Sequence, residues 1–255
     1  MKFDEFINKI DEDDLNIITE EFYKRKNKIP TYQFSSITTK DLISLVDIKE
    51  NIIDDTRFNE WFEFEYSISA SEEKSLKKLL EANYHLIPNY SEEDLKLNFI
   101  GPVISLVNFL MIPQEIRSYY EESLIYKTEK FIFSGTTDFL VSTGLNFSEK
   151  PYFFLQEFKK EEYLKYPKPQ LLAELIAAVE LNNYSEIKGA FVIGQMWTFV
   201  ILEKLGDNKY QYFISESFNS RKIEELKVIY KNLKFIKDFI LKEVEKDKEN
   251  DKRAS

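Results

Sequence analysis

The sequence predicts an α/β fold in which helices flank a central mixed β-sheet, with helical additions at both ends of the chain. Three observations predict it. From about residue 121 the pattern turns to strands, with "SLIYKT" (123–128), "KFIFSGTTDFLV" (130–141) and "PYFFLQEFK" (151–159) in succession. An apolar helix over 170–182 then leads into a further strand, "GAFVIG" (189–194), and such alternation marks a sheet with helices on its faces. Finally, 255 residues can bury one large core, and 22 Phe and 15 Tyr supply the bulk to fill it.

Taken in order, residues 1–90 read as mainly helical and irregular, with helices over 11–28 and 72–86. The aromatic stretch "RFNEWFEFEY" (57–66) between them reads as core before it reads as a base-stacking platform. Ser91-Glu92-Glu93-Asp94 has the form of a helix N-terminal capping box, and the helix runs on through "LKLNFI". Gly101-Pro102 is expected to kink or end it, because proline lacks a donor and crowds the preceding turn. Segments 123–128 and 130–141 form a hairpin, and 151–159 follows. After 189–194, "WTFVILEKL" (197–205) and "KYQYFISES" (209–217) run antiparallel. A last amphipathic helix covers 221–245, with Ile223, Leu226, Leu233, Ile236 and Ile240 near helical spacing. The tail "KDKENDKRAS" is expected to fray. The chain thus divides into a helical N-terminal region (1–90), an α/β core (91–220) and a C-terminal helix with its tail (221–255).

Composition narrows the chemistry. A net charge of −10 argues against a protein that coats nucleic acid non-specifically, although a local basic groove stays open. The absence of cysteine excludes disulfides and thiolate zinc sites, and it fits a reducing cytoplasm, so a cytoplasmic location is expected. The single histidine, His85, reads as a surface residue, so multi-histidine metal sites are out. Any metal would be held by oxygen, which selects Mg2+, Mn2+ or Ca2+. The opening "MKFDEFINKIDEDD" has no apolar h-region, so no signal peptide is expected. No apolar run of about 18 residues occurs, and no membrane span is expected.

The run "YFFLQEFKK" carries charges that a strand buried on both faces has no structural need for. Glu157 and Lys159 lie two apart on a strand and so share one face, while Phe158 points into the opposite layer. A turn centred on residue 146 sets Asp138 of the neighbouring strand opposite residue 154. One bulge or a longer turn brings Asp138 directly against Glu157. Two such carboxylates repel and raise one another's pKa, and a divalent cation or an adjacent ammonium relieves that. Mg2+ accepts one or two carboxylates plus water and phosphate oxygens, which Asp138 and Glu157 could supply. Lys159 would orient or deprotonate the attacking water, or stabilise charge on the phosphorane. The plainer reading of Glu157–Lys159, an exposed ion pair worth about 1 kcal/mol or less, stands beside this.

With these residues in view, the chain resembles the PD-(D/E)XK nuclease superfamily. "SGTTDFLV", "YFFLQEFKKE", "QLLAELIAAVELNN" and "GAFVIGQMWTFVILE" occur in the order of that nuclease core. They look like its form at the start of type I restriction-enzyme R subunits and in related standalone proteins. The resemblance covers about 91–205 and implies a restriction-endonuclease-like core. It implies that Asp138 is the first acid, that Glu157 and Lys159 are the E-x-K half-motif, and that Gln170 is the glutamine of the following helix. It places a further acid on the helix before the sheet, where Glu92 is the first choice and Glu93 the second; Glu92 also has a structural role open to it in the capping box. Trp197 is assigned a structural role, and Thr137 stands where the family has proline. The activity implied is Mg2+-dependent hydrolysis of phosphodiester bonds, with Mn2+ able to substitute and DNA favoured over RNA, in bacterial or phage defence. A homodimer, or a partner protein supplying specificity, fits the same picture. The alternative is a catalytically silent nuclease-fold protein that binds nucleic acid or a protein partner. Lys159, Lys160, Lys165 and Lys168 form a short basic run that Glu161 and Glu162 dilute, so phosphate contact and a solvated loop both remain open.

Overall fold

The computed structural model describes residues 11–26, 28–54, 56–160 and 166–254. Its centre is a mixed sheet of strands β1 (Thr31–Gln33), β2 (Asp47–Glu50), β3 (Ile116–Lys127), β4 (Ile132–Thr143), β5 (Glu149–Lys159), β6 (Glu186–Ile193), β7 (Met196–Gly206) and β8 (Lys209–Asn219). The order is β1-β4-β5-β6-β7-β8-β2, with β3 antiparallel to β4 along its whole length. The described helices are α1 (Glu12–Lys26), α2 (Thr39–Leu45), α3 (Asn59–Phe62), α4 (Ala70–Asn83), α5 (Glu92–Leu95), α6 (Gly101–Val107), α7 (Lys168–Asn182) and α8 (Ile223–Ala254). The α/β class expected from the sequence is therefore present. Helix α7 joins β5 to β6, which pair in parallel, as a crossover helix requires.

Three expectations need correction. Residues 31–33 and 47–50, read as helical or irregular, are strands that pair in parallel with β4 and β8. They are only 3 and 4 residues long and mostly exposed, so no alternation betrays them. Gly101-Pro102 does not end its helix: α5 passes through a π turn over Lys96–Ile100 and continues as α6. The wider turn gives the proline ring room that a regular α turn would deny it. A Cβ on Gly101 would lie 2.8 Å from the Lys96 carbonyl oxygen, so the close turn needs glycine there. Third, the backbone of α8 stays helical through the tail to Ala254; the tail is rich in Lys and Glu and has neither glycine nor proline to stop it.

Two cores lie on the two faces of the sheet. On one, Phe139, Phe154, Phe158, Trp197 and Phe199 pack with α3, α4, α6 and α8. Trp61 anchors this layer: its ring lies 5.0 Å from Phe199 and 5.9 Å from Phe235, and its indole N–H donates to the Asn232 carbonyl at 3.0 Å. The aromatic side chains of 57–66 thus belong to the core. On the other face, Leu140, Leu155, Phe191 and Val200 pack against α7 and α2. Helix α7 presses close to the sheet, for a Cβ on Gly189 would stand 3.0 Å from both the Leu155 oxygen and the Leu175 side chain. That approach puts the polar residues of α7 within reach of β5.

Candidate active site

Register builds the site. Strands β4 and β5 pair as Val141↔Phe154, Leu140↔Leu155 and Phe139↔Gln156, after register shifts at Ser142 and Thr143 beside the turn. Those shifts place the next pair, Asp138 and Glu157, across from one another on the α7 face. There the ladder stops and side chains replace it. The Phe158 amide donates to Asp138 Oδ2 at 2.8 Å, and the Asp138 amide donates to Glu157 Oε1 at 3.3 Å. The two acids are held where the strands part.

Two ammonium groups fill the cleft. Lys159 Nζ lies 3.6 Å from Glu157 Oε2, 3.7 Å from Asp138 Oδ2 and 3.4 Å from Glu92 Oε1. Lys96, from the π turn, puts its Nζ 2.7 Å from Asp138 Oδ1, 3.4 Å from Glu121 Oε1 and 3.6 Å from Glu92 Oε1. Burial works against the charge of each lysine, yet the surrounding carboxylates outweigh it and raise both pKa values. Both amines are therefore held protonated. Glu92 reaches the pair because Ser91 caps α5, its hydroxyl accepting from the Asp94 amide at 3.0 Å.

Behind Glu157 lies a second carboxyl group. Glu174 of α7 is fully buried, and Gln170, one helical turn earlier, donates to its Oε1 at 3.2 Å. Burial pushes the pKa of Glu157 up, helped by the charge of Asp138. Burial also raises Glu174, with the charge of Glu157 adding to it. Two buried carboxylates in contact cannot both stay ionised. The ammonium beside Glu157 favours the charge there, so the neutral form is favoured at Glu174.

Asp138, Glu157, Lys159 and Glu92 therefore come together, and Gln170 joins them through Glu174. Glu93 lines a groove together with Lys96, Leu97, Gly101, Pro102, Tyr120 and Glu121. Thr137 is buried, with its hydroxyl on the Glu122 carbonyl at 3.2 Å, and Trp197 is buried in the sheet. His85 is exposed. Of the basic run, Lys168 pairs with Glu50 at 3.2 Å, while Glu161, Glu162 and Lys165 lie outside the described residues. Sequence reasoning missed Lys96 and Glu174. Both had a signal: Lys96 is four residues from Glu92, and Glu174 is four from Gln170 as the one charge within 169–179.

Whether these residues suit a metal can be tested on their donors. All are hard oxygens, and Oε2 of the buried Glu157 accepts no hydrogen bond. Among the described residues no group of three or more acidic or imidazole side chains forms a ready cage for an ion. Two facing carboxylates with an open oxygen fit Mg2+, which keeps most of its shell as water and phosphate. No family model matches the chain, and no curated protein matches it. Among the described residues no helix is long and apolar enough to cross a membrane.

Proposed function

We propose that the protein is a metal-dependent nuclease of the PD-(D/E)XK type, hydrolysing phosphodiester bonds with DNA as the favoured substrate. One observation carries the reading: Asp138 and Glu157 meet on one face where two strands part, with the Lys159 amine within 3.7 Å of both. Asp138 and Glu157 would hold Mg2+ or Mn2+, with Glu92 as a further acid beside Lys159. The cation, when bound, acidifies water and offsets charge on the phosphate. Lys159, kept protonated by three carboxylates, serves as a donor to the phosphate oxygens and not as a base. Glu174 and Gln170 fix the Glu157 carboxylate from behind.

The test is incubation with single- and double-stranded DNA and RNA plus Mg2+ or Mn2+, with Lys159→Ala as control. Cleavage that EDTA stops and Lys159→Ala lowers by about 100-fold or more is the expected outcome, in the range of lost electrostatic stabilisation. Cleavage surviving Lys159→Ala would place the activity elsewhere. A second reading, a catalytically silent binder of nucleic acid or protein, draws on the two ammonium groups that already neutralise the acids. Nucleic-acid binding without metal-dependent cleavage would select it.

A further inference from the structure

We propose that Lys96 is a resident cation: its ammonium holds the position a second metal ion would take beside Asp138, so the site loads one divalent cation and not two. The inference rests on the metal-dependent reading above. Its basis is the symmetry of the two amines about Asp138. Oδ1 of Asp138 faces Lys96 at 2.7 Å and Oδ2 faces Lys159 at 3.7 Å. Oε1 of Glu92 lies near both, at 3.6 Å from Lys96 and 3.4 Å from Lys159. Each amine has a third carboxylate of its own, Glu121 for Lys96 and Glu157 for Lys159. Two-ion phosphodiesterases clamp the reacting phosphate between two cations, and here two ammonium groups flank Asp138.

The backbone keeps Lys96 there at a cost. It projects from a π turn, a helix irregularity common at functional sites. Glu121 adopts a left-handed φ of 52° in the middle of β3, where a side-chain-bearing residue is strained. The Lys96 ammonium also lies 5.8 Å from the centre of the Phe158 ring, which holds it over the sheet. The buried Oε2 of Glu157 accepts no hydrogen bond and stands 3.6 Å from Lys159, so it is the acid oxygen left for an exchangeable ion. A fixed ammonium cannot dissociate, so the charge it supplies to the site is permanent.

Calorimetric titration with Mn2+, paired with thermal melts, tests this in wild type, Lys96→Met and Glu121→Gln. Wild type is expected to bind about one ion per chain and Lys96→Met about two. Lys96→Met should melt lower than wild type in EDTA and recover when Mn2+ is added. Glu121→Gln, at an exposed side chain, should fold and bind one ion as wild type does, because Glu121 faces only the Lys96 position. An unchanged count in Lys96→Met overturns the proposal. So does weaker Mn2+ binding by Glu121→Gln, which would put the ion at the Lys96 position; that arm holds even if Lys96→Met fails to fold. If wild type and both variants bind no Mn2+, the metal reading fails with it; one ion throughout sinks only the role of Lys96.

Discussion

At the scale of the residue, Glu174 carries a clear prediction, because a fully buried carboxyl group must be either neutral or paired. Glu174→Gln keeps a donor toward Glu157 and should unfold in denaturant at nearly the wild-type midpoint. Glu174→Leu leaves Glu157 and Gln170 without that partner and should cost about 1–3 kcal/mol, the usual penalty for stranding a buried polar group. A larger loss in the Gln variant than in the Leu variant would contradict a protonated Glu174. The same comparison shows what single residues disclose. Strand alternation alone put Glu157 and Lys159 on one face, and the contacts of Lys159 agree. Glu174 was hidden because it sits inside an apolar helix, where one charge reads as an exposed position until the packing of both helix faces is known.

At the scale of the element, the N-terminal helices and α8 are tied together by one carboxylate. Glu72 caps α4 through Ser69, and it accepts from the Tyr66 and Tyr230 hydroxyls at 2.7 Å each. Burial tends to raise its pKa, but these three hydroxyl-bearing residues prevail and hold it well below the usual carboxylate range. A depressed folded-state pKa contributes stability that is complete above the unfolded value, near 4.5, and is lost as pH falls through the folded one. Glu72→Gln should therefore melt below wild type at neutral pH, with the gap closing as the solution is acidified. A gap independent of pH would rule out the ionised cap. Strands β4 and β5 could be read from sequence because they span 12 and 11 residues of strand pattern. Strand β3 instead begins at Ile116, seven residues before the 123–128 segment that the pattern marks. The misread ones turned on geometry that residue type does not encode. A π turn admits the proline that an α turn rejects, and β1 and β2 exist only because β4 and β8 offer them an edge.

At the scale of the whole molecule, 45 acidic residues face 35 basic ones, so the surface field opposes a polyanion and only local amines can favour it. Several of those amines are already paired, Lys168 with Glu50 and Lys96 with Asp138 among them. Few phosphates can then be neutralised, and nucleic-acid affinity should fall only shallowly with salt, with a logarithmic slope near 0.9 for each of about one to three contacts. A slope as steep as that of a basic DNA-coating protein would contradict the account. The order of strands and the meeting of 91–159 with 168–182 at one cleft emerge only from the folded chain, since Glu92 and Glu174 approach Glu157 from different layers. Everything turns on whether the acids on β4 and β5 share an ion, and Mn2+ binding to wild type beside Asp138→Ala measures that directly. Saturable binding to the wild type that the substitution abolishes is the predicted result; no binding, or binding indifferent to Asp138, would contradict it.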